Sequence, residues 1–230
     1  WDLLGKLRGK PVYELLGGRG PERVPVYDGS IYFQDLLPQF ADSWQDRFRQ
    51  ELDDSLARGH RALKVKIGRG AKWMPRAEGD ARDIAVLRLI REHVGPDVLI
   101  GVDANNGYDL AGTRQLLDTL PEYNFAFLEE MFPETLDECM ALRTFLAERG
   151  WATLVADGET QESLEPLKPL IEAHAIDVAQ ADMNRFGIEG ILAEARLGEP
   201  HGVLVAPHNW GSLVGYYLQL HVGRAISNFY

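Results

Sequence analysis

Three acidic residues each close a stretch of apolar sequence that is typical of a buried β-strand. Asp103 ends Val-Leu-Ile-Gly-Val-Asp, Glu129 ends Phe-Ala-Phe-Leu-Glu, and Glu159 ends Thr-Leu-Val-Ala-Asp-Gly-Glu. Because the carboxyl ends of parallel strands lie at one edge of a sheet, we expect the three carboxylates to converge there. Unpaired carboxylates that converge repel one another unless a cation lies among them, and Mg2+ takes oxygen ligands. The sequence therefore predicts a metal site.

Charged residues of other types belong to three further strand patterns. The second strand places Lys64 and Lys66 on the face opposite to its apolar residues, and in a barrel the apolar face meets the surrounding helices. We therefore expect both lysines to point inward. Asp182 and His208 have the inward parity at the ends of the sixth and seventh strands. Side chains of these types are the usual donors and acceptors of protons in enzymes.

The elements that would position these residues alternate regularly along the chain. A strand pattern followed by a helix pattern recurs every ~25 to 35 residues, which is typical of parallel βα units. The predicted strands are 24–30, 62–67, 98–105, 125–129, 153–157, 177–182 and 202–207, and an eighth begins near residue 225. Seven complete strands and a partial eighth favour an α/β fold of the (β/α)8 TIM-barrel type over an open doubly wound sheet. The glycine-rich nucleotide-binding motifs of open sheets are absent from the sequence.

Composition restricts the possible partners. The 230 residues are 45% hydrophobic and carry a formal charge of -11, with 24 basic against 35 acidic residues. This balance argues against nucleic acid and against anionic membranes, so we expect a small-molecule carboxylate substrate and a homo-oligomer of unspecified size. One cysteine, Cys139, and no apolar leader predict a cytoplasmic protein.

Six short motifs occur in the order and at the approximate spacing of a known family. They are Lys64-Val65-Lys66, Asp103-Ala104-Asn105, Leu128-Glu129-Glu130, Gly158-Glu159, Gln180-Ala181-Asp182 and Ala206-Pro207-His208-Asn209-Trp210. In these motifs the chain resembles the enolase superfamily, and within it the mandelate racemase subgroup of the mandelate racemase/muconate lactonizing enzyme family. Each motif is weak alone, but six of them in register across nearly the whole chain are specific.

The resemblance implies a catalytic magnesium ion. Asp103, Glu129 and Glu159 would bind Mg2+, and the ion would bind the substrate carboxylate and stabilise the enediolate that forms when the adjacent carbon loses a proton. Asp157 has the same strand parity as Glu159, so alternation by itself leaves the third ligand open.

The resemblance also implies two acid/base residues. Lys66 would be one and His208 the other. Lys64 would hold the substrate carboxylate, and its positive charge would favour the neutral, proton-accepting form of Lys66. Asp182 would orient His208 and stabilise its charged form.

Two such bases can support two reactions. If one removes a proton and the other protonates a departing β-hydroxyl, the result is dehydration of an acid sugar to a 2-keto-3-deoxy acid; if the other returns the proton, the result is racemisation or epimerisation. We favour the dehydratase. An aldolase that forms a Schiff base through Lys66 and a truncated barrel without activity are the competing hypotheses.

Three further residues are possible substrate contacts. Asn105 could bind substrate or cap a turn, and Arg185 occupies a position where the family usually has a basic residue. Trp73 lies between Arg69 and Arg82 in a stretch that we expect to be a long loop, where it could recognise a polar substrate end.

The ends of the chain depart from the family pattern. Residues 1–20 are predicted to be a helical segment that continues from a capping domain, and residues 21–230 to be the catalytic barrel. Trp1 is not an initiator methionine, and the carboxylic residue that family members usually have at the end of strand eight does not precede Tyr230. We therefore expect the 230 residues to be part of a longer protein.

Overall fold

The computed structural model describes all 230 residues, and its seven strands are parallel and follow one another in the order of the chain. The strands are β1 (Asp28–Ile31), β2 (Ala62–Lys66), β3 (Leu99–Asp103), β4 (Phe127–Glu129), β5 (Leu154–Asp157), β6 (Val178–Ala179) and β7 (Leu204–Val205). The helices are α1 (Asp2–Arg8), α2 (Val12–Leu15), α3 (Trp44–Ala57), α4 (Arg69–Lys72), α5 (Arg76–Val94), α6 (Leu110–Thr119), α7 (Leu136–Glu148), α8 (Lys168–Glu172), α9 (Met183–Gly198) and α10 (Leu213–Gly223). The predicted α/β fold with seven complete parallel strands is confirmed. The chain forms two compact units.

The unit from Val26 to Val155 contains the first four strands and the helices between them. Both faces of β2 are buried, because apolar Leu63 and Val65 pack toward the helices while the alternate positions carry lysines. The parallel register pairs Lys66 with Asp103 across β2 and β3, and Asp103 with Glu129 across β3 and β4. The ends of three neighbouring strands are therefore level, and each ends in a charged side chain.

The stretch after β2 is helical, so the prediction of a long loop from Arg69 to Arg82 is wrong. Helix α4 begins directly after Gly68, and α5 begins after Pro75. Gly68 has φ +94°, and a Cβ at this residue would lie 2.7 Å from the carbonyl oxygen of Ala104, so only glycine allows the turn. The apolar spacing of Ile84, Leu87, Ile90 and Val94 predicts the later part of α5. Sequence periodicity did not show α4, because α4 is a single turn and its first residue, Arg69, is a buried arginine.

The other unit comprises residues 1–25 and 156–230. The last two residues of β5, Ala156 and Asp157, pair in parallel with β6 within it, and β6 pairs in parallel with β7. Helix α9 is interrupted at Gly187, whose φ of 60° and ψ of -178° are not helical, so a single turn precedes the longer part of the helix. The chain beyond residue 225 forms a bridge between Phe229 and Val205 instead of a regular strand. None of the helices combines the length and the apolar composition that crossing a bilayer requires.

Candidate active site

Two lysines and two carboxylates form a buried cluster at the ends of β2, β3 and β4. Lys64 and Lys66 are 9% and 7% exposed, and Asp103 and Glu129 are almost completely buried. The Oδ2 atom of Asp103 lies 2.8 Å from Nζ of Lys64 and 2.7 Å from Nζ of Lys66. Lys64 also forms an ion pair with Glu129. The inward orientation that alternation predicted for both lysines therefore places them against two of the proposed metal ligands.

The charges in this lysine cluster control one another. Burial by itself would raise the pKa of the Asp103 carboxyl, but the positive charges of Lys64 and Lys66 outweigh burial and lower that pKa to about 2. Burial would lower the pKa of Lys64, but the negative charges of Glu129 and Asp103 contribute to raising it well above its usual value. Asp103 is thus ionised at neutral pH, as a metal ligand needs to be. Lys64 is protonated, as a cation that binds a substrate carboxylate needs to be.

Aromatic rings lie inside the unit that carries the lysine cluster. Phe127 is 4% exposed, and a Cβ on Gly101 would lie 2.2 Å from its ring, so glycine at this position is what allows the ring to lie inside. Tyr32, after β1, places its ring 5.7 Å from Nζ of Lys66. Apolar and aromatic groups around the lysines reduce their contact with water, which strengthens the electrostatic interactions among the charged groups.

A second buried ion network lies directly behind the lysine strand, and sequence reasoning missed it. The fully buried Arg69 donates to Asp35 through Nε at 2.9 Å and Nη2 at 2.7 Å, and to Asp83 through Nη1 at 2.6 Å. Its Nη1 also donates to the carbonyl oxygen of Lys66 at 3.3 Å. The hydroxyl of Tyr108 donates to Asp83 at 2.7 Å. Because these partners are distant in sequence, no local pattern indicated the network.

Two of the predicted substrate contacts lie beside this unit's strand ends. Asn105 has φ 46°, donates from its side chain to Glu130 at 2.8 Å and accepts from Lys72 at 3.4 Å. The indole of Trp73 is 60% exposed, and its ring lies 6.3 Å from that of Phe33. An exposed tryptophan offers an apolar face to a ligand, and Asn105 supplies both hydrogen-bond donor and acceptor groups.

The unit with β5 to β7 carries a histidine between two carboxylates. Nδ1 of His208 lies 2.6 Å from Oδ2 of Asp182, and Nε2 lies 3.3 Å from Oε2 of Glu159. The other Asp182 oxygen accepts from the backbone N–H groups of Asn184 and Arg185 at 2.9 and 3.0 Å, so Asp182 is also the N-cap of α9. These contacts orient Asp182 toward the ring and make the pair a His/Asp dyad.

Two other residues surround Glu159. The guanidinium Nη1 of Arg185 donates to the backbone carbonyls of Glu159 and Thr160 at 3.3 and 2.9 Å, so Arg185 holds the loop that carries Glu159. Asp157 is buried and accepts from the N–H of Gly158 at 2.7 Å. In the other unit, the buried carboxylates of Asp103 and Glu129 supply oxygen donors of the kind that suit a hard cation such as Mg2+, which would complete its coordination with further oxygens.

Sequence reasoning missed one more ionisable residue, the glutamate at position 194. Glu194 lies on α9 and is completely buried. Helical spacing is the signal that could have indicated its burial. Glu194 follows Ile191 by three residues and precedes Gly198 by four, so the three share the buried face of the helix.

The chain is similar to known proteins along most of its length. A family model described as enolase C-terminal domain-like matches residues 47–230. D-galactarolactone cycloisomerase from Agrobacterium fabrum is 31% identical over 214 residues, which are 92% of this chain and 52% of that protein. The chain spans about half the length of the curated relatives it matches.

The chain is also similar to solved structures. A galacturonate dehydratase from Geobacillus sp. superposes with a TM-score of 0.89 at 37% identity, covering 99% of this chain and 60% of that one. A mandelate racemase/muconate lactonizing protein from Geobacillus sp. Y412MC10, complexed with magnesium and tartrate, superposes with a TM-score of 0.90 at 37% identity and the same coverage.

Proposed function

This chain belongs to the enolase C-terminal domain-like family, and on that premise we propose that it is the catalytic part of a Mg2+-dependent dehydratase that converts an acid sugar to a 2-keto-3-deoxy acid. Dehydratases among its similar proteins support the reaction type. The observation that carries the proposal is the level row of buried charges formed by Lys66, Asp103 and Glu129 at the ends of three neighbouring strands.

We assign the metal to Asp103, Glu129 and Glu159. When bound, Mg2+ would polarise the substrate carboxylate and so make the neighbouring C–H bond more acidic. Lys64 adds a positive charge for the same carboxylate, because its ammonium is kept protonated by Asp103 and Glu129. The aromatic groups that exclude water from the lysines increase the strength of this electrostatic stabilisation.

The chemical step uses Lys66 and His208 as the acid/base pair. One of them removes the proton from C2 of the acid sugar, giving an enediolate, and the other protonates the hydroxyl that leaves C3 as water. The resulting enol takes up a proton at C3 and becomes the 2-keto acid, so the net change is the loss of one water molecule. The 2.6 Å contact with Asp182 keeps the His208 ring oriented for this step.

The remaining substrate hydroxyls need polar and apolar partners. We propose that Asn105 binds one hydroxyl and that the exposed indole of Trp73 packs against the carbon chain. Arg185 already uses Nη1 for the Glu159 and Thr160 carbonyls, and its remaining N–H groups are the proposed substrate contacts.

A screen of the complete protein against a library of aldonic, aldaric and uronic acids tests this function. We expect a 2-keto product, detected as its semicarbazone, that disappears with EDTA and returns with Mg2+. Asp103→Asn should lower kcat by at least ~10^3-fold, because the variant loses a charged ligand. The matched control is Asp118→Asn, which removes a half-exposed carboxylate that pairs with Arg149 and should leave the rate intact.

The same screen separates the competing reactions. Exchange of the C2 proton with inversion and without loss of water would indicate a racemase or epimerase that uses the same bases. Turnover that resists EDTA, together with trapping of substrate on Lys66 by borohydride, would contradict the proposal in favour of a Schiff-base enzyme.

A further inference from the structure

Glu194 occupies a position where an apolar residue would be expected. The face of α9 that packs inside its unit consists of Ile188, Ile191, Ala195 and Gly198, and Glu194 lies among them with no exposed surface. Burying a carboxyl group there costs free energy that a leucine or methionine of similar size would not cost. A residue retained against such a cost is expected to have a compensating role.

The contacts of this carboxyl are few and directed at one place. Oε1 accepts a hydrogen bond from the backbone N–H of Ala181 at 3.2 Å, and Oε2 is buried without a partner among the protein groups. No cationic side chain forms an ion pair with it. Burial therefore raises the pKa of the Glu194 carboxyl to about 8, and the group is largely protonated at neutral pH. A neutral acid can stay in an apolar environment where a carboxylate could not.

Ala181 is the residue immediately before the dyad acid. Its carbonyl accepts from the N–H of His208 at 3.2 Å, and the N–H of Met183 donates to the carbonyl of His208 at 2.8 Å. The backbone on both sides of Asp182 is thus tied to the backbone of His208. The N–H of Ala181 donates to Glu194, so this side chain secures the backbone immediately before Asp182.

We propose that Glu194 is a positioning residue: by accepting from the Ala181 N–H it holds Asp182 in line with Nδ1 of His208. The strict geometry of the dyad makes this effect large, because a short hydrogen bond weakens steeply as its atoms move apart. Only the kinetic consequence rests on the proposed dehydratase function. The geometric consequence concerns the His208–Asp182 hydrogen bond and can be measured without substrate.

The test compares Glu194→Gln with Glu194→Met in the complete protein. Glutamine keeps an acceptor oxygen for Ala181, whereas methionine fills a similar volume without one. We expect Glu194→Met to lower kcat by ~10- to 100-fold with little change in KM, and Glu194→Gln to keep at least about a third of the wild-type kcat. Glu194→Met should be at least as resistant to urea as wild type, because an apolar side chain suits this position.

The second readout is the NMR spectrum of protein labelled with 15N-histidine. In wild type and Glu194→Gln, the His208 Nδ1 proton should resonate far downfield, as a short hydrogen bond to a carboxylate requires. In Glu194→Met the resonance should move upfield or disappear. If the His208 resonance changes in this way but the wild-type protein shows no turnover, the positioning role is supported and the proposed dehydratase function is contradicted.

Wild-type kcat together with a wild-type His208 resonance in Glu194→Met would overturn the proposal. If Glu194→Met does not fold, Glu194→Asp takes its place, since a side chain shorter by one methylene keeps the acid but withdraws it from Ala181. Glu194→Asp should then show the same loss of kcat and the same change at His208, and wild-type values for both would overturn the proposal equally.

Discussion

Asp103 and Glu194 are both completely buried carboxyl groups, yet the protein holds them in opposite protonation states. Two lysine ammonium groups within 2.8 Å lower the pKa of Asp103 to about 2 in spite of its burial. Glu194 has a single backbone N–H as its partner, and burial raises its pKa to about 8. The comparison shows that burial alone does not determine the charge of a carboxyl group; the presence of a cation among its neighbours does.

The two carboxyls also suit different tasks. An ionised carboxylate such as Asp103 can bind a metal ion. The same negative charge also compensates the buried positive charges of Lys64 and Lys66. A neutral acid such as Glu194 cannot attract a cation strongly, but it can accept a hydrogen bond in a region where a charge would be too costly. The first arrangement favours electrostatic catalysis and the second favours fixed geometry.

Among the changes that test this comparison, removal of the Lys64 ammonium should have the largest effect on stability. Lys64→Met leaves Asp103 and Glu129 short of one compensating charge, and we expect the free energy of unfolding in EDTA to fall by about 3–5 kcal/mol. Added Mg2+ should recover part of this loss, because the ion binds the folded state and supplies positive charge. Urea denaturation with and without Mg2+ measures both effects.

Lys6→Met is the control for that experiment. Lys6 pairs with Asp2 on the exposed surface of α1, and its loss should leave the urea midpoint where it is in wild type. A Lys64→Met protein as stable in EDTA as wild type would show that the charges of the lysine cluster do not compensate one another.

The pH dependence of stability should distinguish Glu194 from a glutamine at the same position. The folded pKa of about 8 lies above the ordinary value of 4.5, so the native state holds a proton that the unfolded state releases. The stability that this proton contributes is complete below pH 4.5 and is lost as pH rises toward 8, by about 1.4 kcal/mol per pH unit. Relative to Glu194→Gln, wild type should therefore lose a few kcal/mol across that range in urea titrations at several pH values. Parallel curves for the two proteins would contradict a raised pKa.

The smallest effect is expected at a carboxylate that water already solvates. The pKa of Asp2 is lowered by its hydrogen bond to Lys6, and its side chain is exposed. Asp2→Asn should leave the thermal midpoint unchanged within error, because solvent screens the pair and the ordering of two long side chains offsets its attraction. A clear drop in the midpoint would mean that surface charge contributes more to this fold than the buried comparison suggests.

The alternation of side chains along strands allowed most of the site to be predicted from the sequence. Because strand parity has a period of two, Lys64 and Lys66 could be assigned to the inner face from their immediate neighbours, and Asp182 and His208 to inward positions at their strand ends. The pairing of Asp182 with His208 as a dyad was implied by the family resemblance. Strands β2 to β5 begin and end within about two residues of their predicted positions, whereas β6 and β7 are shorter than predicted. The eighth strand, expected near residue 225, is an isolated bridge between Phe229 and Val205.

The sequence by itself determined the class of fold, the order of its strands and the identity of the charged residues at their ends, since all of these follow from local periodicity. Only the tertiary structure decided which buried charges meet. Arg69 pairs with Asp35, 34 residues earlier, and with Asp83, 14 residues later, and Glu194 reaches back 13 residues to Ala181. Such pairs depend on how helices and loops pack against the strands, and packing at long range leaves no periodic trace in the chain.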